Sequence, residues 1–259
     1  MSIIDTFDPE RRAVLNPEDV YKPVEGFPDT VLVTFSKKII DIALEMYECS
    51  PCAWLYAGEK VPVYCFETGN CRLGIIRTHM GAPMTVALME ELIAMGGRQF
   101  VFFGSCGTLD ASIPAGHLIV PEAAYRDEGT SYHYMPASAG DFVNIPTAET
   151  TAGTIEDMGI PVIRTKVWTT DGLYRETRAN MAKRVAEGCR VVDMECSAIM
   201  AAAAFRGVRT YQFLYAEDNL DAVEWDPRTM GRVPASASEL YLRTAVETGC
   251  RVNVGKDNF

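Results

Sequence analysis

The chain has 259 residues, 48% hydrophobic and 23% charged, with a mean hydropathy of +0.00, proportions that exclude a fibre or a disordered tail and fit a soluble globular protein. Twenty-four Lys and Arg against 35 Asp and Glu give a net charge of −11 and a pI near 4.8. That field repels phosphate backbones and anionic lipid, which argues against nucleic acid and membrane partners and requires a local basic pocket for any anionic substrate.

Residues 1–28 are polar and punctuated by proline, and read as an N-terminal arm; residues 29–259 read as one domain. The opening MSIIDTFDPERRAV has acids and no continuous apolar core, unlike a secretory signal, and no apolar run approaches the roughly 18–20 residues that span a bilayer. TVLVTF (30–35) is predicted as a buried strand, followed by a helix over about 36–48. Cys49-Ser-Pro-Cys52 then follows IIDIALEMYE, the end of that helix, where a redox pair is not expected. Cys65 and Cys71 add no second CxxC for zinc. The eight cysteines are expected to be reduced thiols in a cytoplasmic protein. His79, His117 and His133 are too dispersed for a metal motif.

VPVYCFET (61–68) and CRLGIIRTH (71–79) are predicted as a strand pair turning at Gly69-Asn70. APMTVALMEELIAMG has apolar residues at three- and four-residue spacing and stops at Gly96-Gly97, as a helix does. QFVFFG (99–104) is apolar after Gln99, the pattern of a parallel strand covered on both faces. Further strands are predicted in GHLIVPEAAYRDEG, PVIRTKVWTT, RVVD and TYQFLYAED, and helices in ETRANMAKRVAEG, the alanine-rich CSAIMAAAAFRG and SASELYLRTAVETGCRV. The alternation gives an α/β sheet with helices on both sides.

Sites in such sheets gather where strands end, and four predicted ends carry unusual residues. Gly104-Ser105-Cys106-Gly107 follows QFVFF and reads equally as a tight turn or a ligand loop; it is neither GxGxxG nor GxSxG. Asp193-Met194-Glu195 precedes the alanine-rich helix. Its acids suit sugar hydroxyls, or simply a helix N-terminus. Glu217-Asp218-Asn219 ends the last strand, where an Asp suits proton donation to a leaving nitrogen. The fourth is the polar loop Asp127–His133.

In this order, GSCG, EGTSYH, TTDGLY, VVDMECSA and AED resemble the nucleoside phosphorylase-I family, which includes purine nucleoside phosphorylases, uridine phosphorylases and related nucleosidases. The resemblance covers residues 30 to 250 or so. It implies a single-domain three-layer α/β/α sandwich with a mixed central sheet, assembled as a homo-oligomer, dimer or hexamer. It also implies cleavage of a nucleoside's N-glycosidic bond by phosphate, with no metal or organic cofactor and inorganic phosphate as co-substrate. Carried over by position, Gly104 and Ser105 would hold phosphate, Met194 and Glu195 the ribose, and Asp218 would protonate the base. Leu173, Tyr174, Arg178, Cys106 and Gly107 would lie near the base.

Three departures shape these expectations. Phe102 stands where the family has an arginine, and TFSKK (34–38) replaces its first phosphate loop. Arg77, with Lys37 and Lys38 as further candidates, is therefore expected to supply the missing charge; without it, water would replace phosphate. The uridine-reading Gln is absent after TTD, leaving Arg178 or an Arg175–Glu176 pair to read the base. No His precedes residue 79, so His133 is expected near the ribose 5′-hydroxyl. A nucleosidase and a non-catalytic nucleoside-binding protein are the alternative readings.

Overall fold

The structure is a computed structural model and describes residues 2–5, 7–56 and 59–254. In chain order its elements are α1 (Pro17–Val20), β1 (Thr30–Thr34), α2 (Lys37–Met46), β2 (Ser50–Tyr56), β3 (Lys60–Thr68), β4 (Cys71–Arg77), α3 (Ala82–Met95), β5 (Gln99–Thr108), β6 (Leu118–Asp127) and β7 (Phe142–Asn144). There follow α4 (Ala148–Asp157), β8 (Val162–Thr170), α5 (Arg178–Ala186), β9 (Cys189–Asp193), α6 (Cys196–Arg206), β10 (Arg209–Asn219) and α7 (Ala235–Val254).

All ten strands among the described residues join one mixed sheet. β4, β1, β5 and β10 run parallel, as do β6, β8 and β9, while β2–β3–β4 is an antiparallel meander. The order β10-β6-β8-β9-β5 closes on itself because β5 also pairs with β10, so half of the sheet curls into a small ring. Helices α2, α4 and α7 pack together, and α1, α3 and α6 form a second group. The apolar runs fill the middle: every residue of β1 is buried, as are Phe100, Val101, Phe102 and Phe103 of β5. Burying each such side chain stabilises the fold by about 1.5–3 kcal/mol.

The arm lies along this body. Val24 N–H donates to Met95 O at 3.0 Å, Tyr56 N–H to the Tyr21 hydroxyl at 3.1 Å, and Phe7 meets Phe205 edge to face.

Two expectations are corrected. Ser50-Pro51-Cys52 opens a strand, β2, and Cys52 is joined to Cys65 of β3 in a disulfide rather than left as a thiol; their Cα atoms are 5.8 Å apart. A register shift between Pro51 and Ala53 sets Cys52 beside its partner strand. The second concerns GSCG, which is not a turn. β5 continues through it to Thr108, because Gly104, Ser105 and Cys106 pair with Leu214, Tyr215 and Ala216 of β10 and Gly107 pairs with Val192 of β9.

Candidate active site

The ring of strands opens onto a cleft at the ends of β5, β9 and β10. On β10 the register with β5 shifts between Ala216 and Asn219, leaving Glu217 and Asp218 in a bulge. Bulges re-aim side chains, and this one sends both carboxyl groups into the cleft. The Thr108 hydroxyl donates to Asp218 O at 3.0 Å, and the Trp225 indole N–H donates to Asp218 Oδ2 at 2.7 Å. Gly107 makes room for this packing: a Cβ there would sit 2.7 Å from Leu220 Cδ1 and 3.1 Å from Asp218 Oδ1.

The acids at the start of α6 divide two duties. Asp193 caps the helix, accepting from the backbone N–H of Cys196 at 2.8 Å and of Glu195 at 3.3 Å, with the Thr169 hydroxyl at 2.7 Å. Glu195 turns instead to the cleft, where its Oε1 accepts the Gly81 N–H at 2.5 Å. Both carboxyls are buried, and burial pushes both up from the usual carboxylate range. Three donors hold Asp193 as the charged member; Glu195, with Asp193 as neighbour, is pushed up further.

The EGTSYH loop docks onto the same helix. Ser197 Oγ donates to Glu128 Oε1 at 2.8 Å, Ser131 N–H to Glu128 Oε2 at 2.8 Å, and Gly129 N–H to Asp171 Oδ2 at 2.9 Å. The buried Arg126 guanidinium holds the loop's far side through Ser131 Oγ and the carbonyls of Met135, Pro136 and Gly140.

The cleft has a volume of about 340 Å³ and is lined by Arg77, Ser105, Cys106, Gly107, Leu173, Met194, Glu195 and Asp218 among the predicted residues. Leu173, Glu176, Asp218, Leu220 and Met230 also line a more apolar cavity of about 430 Å³, with Tyr174, Arg178, Met181 and Trp225. Together they match the size range and the mixed polar and apolar lining of small-molecule sites.

Not every expected residue arrives there. Gly104 is covered by Phe35, whose Cδ2 would lie 2.6 Å from a Cβ at that position. Lys38 points elsewhere, its Nζ donating to Val233 O at 2.6 Å, and Lys37 pairs with Asp41 on the surface. Arg77 reaches the cleft but also bonds Glu59 at 3.0 Å. Arg178 lines the second cavity, yet its guanidinium is held by the carbonyls of Leu220, Ala222 and Val223. His133 lines a separate cavity with Pro83, Gly129 and Asp171. Phe102 is core, tilted against Phe100.

Other residues do line the cleft. His79, at the exit of β4, lines it with a buried Nε2 that has no partner among the described residues. Glu217 lines the cleft beside Ser105 and is pushed up by burial. Glu176 lines both cavities and is pushed up to about 7 by burial and by Asp218. The signal for Glu217 was its place beside Asp218 at a strand end, and for Glu176 its place just beyond TTDGLY.

A model of the phosphorylase superfamily matches residues 17–245. Guanosine phosphorylase of Halorubrum lacusprofundi is 25% identical over 150 residues, covering 58% of this chain and 62% of that protein; the chain thus aligns to about three fifths of that relative's length. Among solved structures, a uridine phosphorylase of Vibrio fischeri superposes with a TM-score of 0.76 at 21% identity, covering 93% of this chain and 99% of that one. An AMP nucleosidase of Bacteroides thetaiotaomicron superposes with a TM-score of 0.72 at 18% identity, covering 91% and 92%. With the family model spanning most of its length, the chain belongs to the phosphorylase superfamily.

Proposed function

We propose that this cleft cleaves the N-glycosidic bond of a purine nucleoside, with inorganic phosphate as nucleophile, releasing the base and ribose 1-phosphate. The observation that carries the reading is that Glu195 and Asp218, each held by an N–H donor, line one cleft. Breaking the bond puts positive charge on the sugar and negative charge on the base. A carboxylate by the ribose and acids by the base favour that state over the ground state. Positioning the phosphate, more than activating it, is what remains for the protein to do.

A purine is favoured over uracil on two grounds. The EGTSYH loop, which resembles a stretch of the uridine phosphorylases, is used to dock onto α6, and Arg178 is committed to backbone carbonyls. Neither is free to read a pyrimidine edge. Phosphate would enter between Arg77 and Ser105. The exposed Glu59 partner holds Arg77 only weakly, since such pairs are worth about 0–1 kcal/mol. A homo-oligomeric assembly belongs to the same reading, and light scattering on the purified chain tests it.

One observation favours a second reading, hydrolysis: Glu217 is a carboxyl group that lines the cleft together with Ser105, where phosphate would sit. Glu217 would then take a proton from an attacking water. Turnover in ¹⁸O-labelled water separates the two. Label in the released sugar means hydrolysis; unlabelled ribose 1-phosphate, formed only with phosphate present, means phosphorolysis.

A further inference from the structure

The two carboxyl groups shared by both cavities, Glu176 and Asp218, have unlike surroundings. Asp218 Oδ2 accepts the Trp225 indole N–H at 2.7 Å. Trp225 sits on the loop after β10, fixed by the Asn219–Asp226 backbone pairing and by Arg228 Nη1 on Ile113 O at 2.8 Å. Glu176, in the turn between β8 and α5, is half-buried and makes no hydrogen bond or ion pair among the described residues. Its near neighbour Arg178 is committed to the carbonyls of Leu220, Ala222 and Val223.

An N–H donor is worth more to an ionised carboxyl than to a neutral one, and two adjacent carboxyls in a half-buried space resist double ionisation. The proton of the pair therefore rests on Glu176. Burial and the Asp218 charge push Glu176 up to about 7, so it is protonated near neutrality and still able to give its proton up.

On the reading that the cleft cleaves a nucleoside, we propose that Glu176 is the proton donor to the leaving base. Asp218 is the fixed carboxylate that orients that base by accepting one of its N–H groups. As C1′–N breaks, its electron pair goes to the base. The Glu176 O–H proton moves to a base ring nitrogen, the nucleophile's lone pair forms the new bond at C1′, and solvent reprotonates Glu176. The fitting ligand is a purine with both an acceptor ring nitrogen and an N–H or amino donor, lying against the Trp225 ring.

The test compares guanosine with 7-methylguanosine, whose cationic base leaves neutral and needs no proton. Glu176→Gln is expected to lower kcat/KM on guanosine at least about 100-fold and to leave 7-methylguanosine within about 5-fold. Glu176→Asp should restore part of the guanosine activity, and Asp218→Asn should lose activity on both substrates alike. A wild-type alkaline limb near pH 7 with guanosine should be missing with 7-methylguanosine. An equal loss on both substrates for Glu176→Gln, or the selective pattern in Asp218→Asn, overturns the assignment while leaving nucleoside cleavage intact. A wild-type enzyme inert toward both substrates overturns the functional reading together with it.

Discussion

Glu195 Oε1 accepts the backbone N–H of Gly81 at 2.5 Å, across 114 residues of chain, and so ties the start of α6 to the start of α3. Gly81 adopts φ 109° and ψ 137°, a backbone region that L side chains rarely adopt. Gly81→Ala is expected to destabilise the protein by about 1–3 kcal/mol and to lower kcat/KM by moving this donor. A melting curve and a kinetic assay read both; an unchanged Tm would show that the backbone relaxes without strain.

Glu195→Ala should cut kcat/KM at least about 100-fold, or ~2.7 kcal/mol, because on the proposed reading it removes the carboxylate that holds the ribose. Activity near wild type would take Glu195 out of the site.

The protonation of Glu195 has a separate signature in the free protein. Burial and Asp193 raise its proton affinity in the folded state above that of an unfolded Glu, near pH 4.3. Its contribution to stability is therefore full below about pH 4 and lost as pH rises through the raised folded value. Tm should fall over that window, and Glu195→Gln should flatten the fall. On the proposed reading ribose hydroxyls donate to the ionised form, so nucleoside binding should release protons, seen as a buffer-dependent heat in calorimetry.

Much of this was legible in the sequence, for identifiable reasons. Apolar runs such as FVFF and VLV, bounded by turn residues, read as covered strands, and the VVDMECSA junction placed Asp193 and Glu195 at a helix start. What escaped depends on partners distant in sequence. β5 extends through GSCG because β10 and β9, more than 80 residues later, supply its ladder. Pro and polar residues at the start of SPCAWLY hid an edge strand. Lys38 looked free until α2 turned it toward Val233. His133, expected at the sugar, lines a separate cavity beside α3, and His79 lines the main cleft. The bulge that aims Glu217 inward arises from the register of β10 against the distant β5.

Gly107→Ala places a methyl group 2.7 Å from Leu220 Cδ1 and 3.0 Å from Val192 Cγ1. Overpacking of this kind costs about 1–3 kcal/mol, and the same methyl crowds Asp218. Both Tm and kcat/KM are expected to drop; a loss of stability alone would separate Gly107 from the alignment of Asp218.

Glu217→Ala removes a carboxyl group from the expected phosphate position. Under phosphorolysis the KM for phosphate should fall several-fold, and the wild type should bind phosphate better at low pH, where the raised Glu217 is neutral. Under hydrolysis the same variant should lose its activity. The phosphate dependence of the initial rate decides between them.

The most direct test of the central claim is product analysis on inosine, guanosine, adenosine, uridine and thymidine, with and without phosphate. Free purine with ribose 1-phosphate, formed only when phosphate is present, is the predicted result. Free ribose without a phosphate requirement, or release of uracil or thymine in preference to purines, would contradict it.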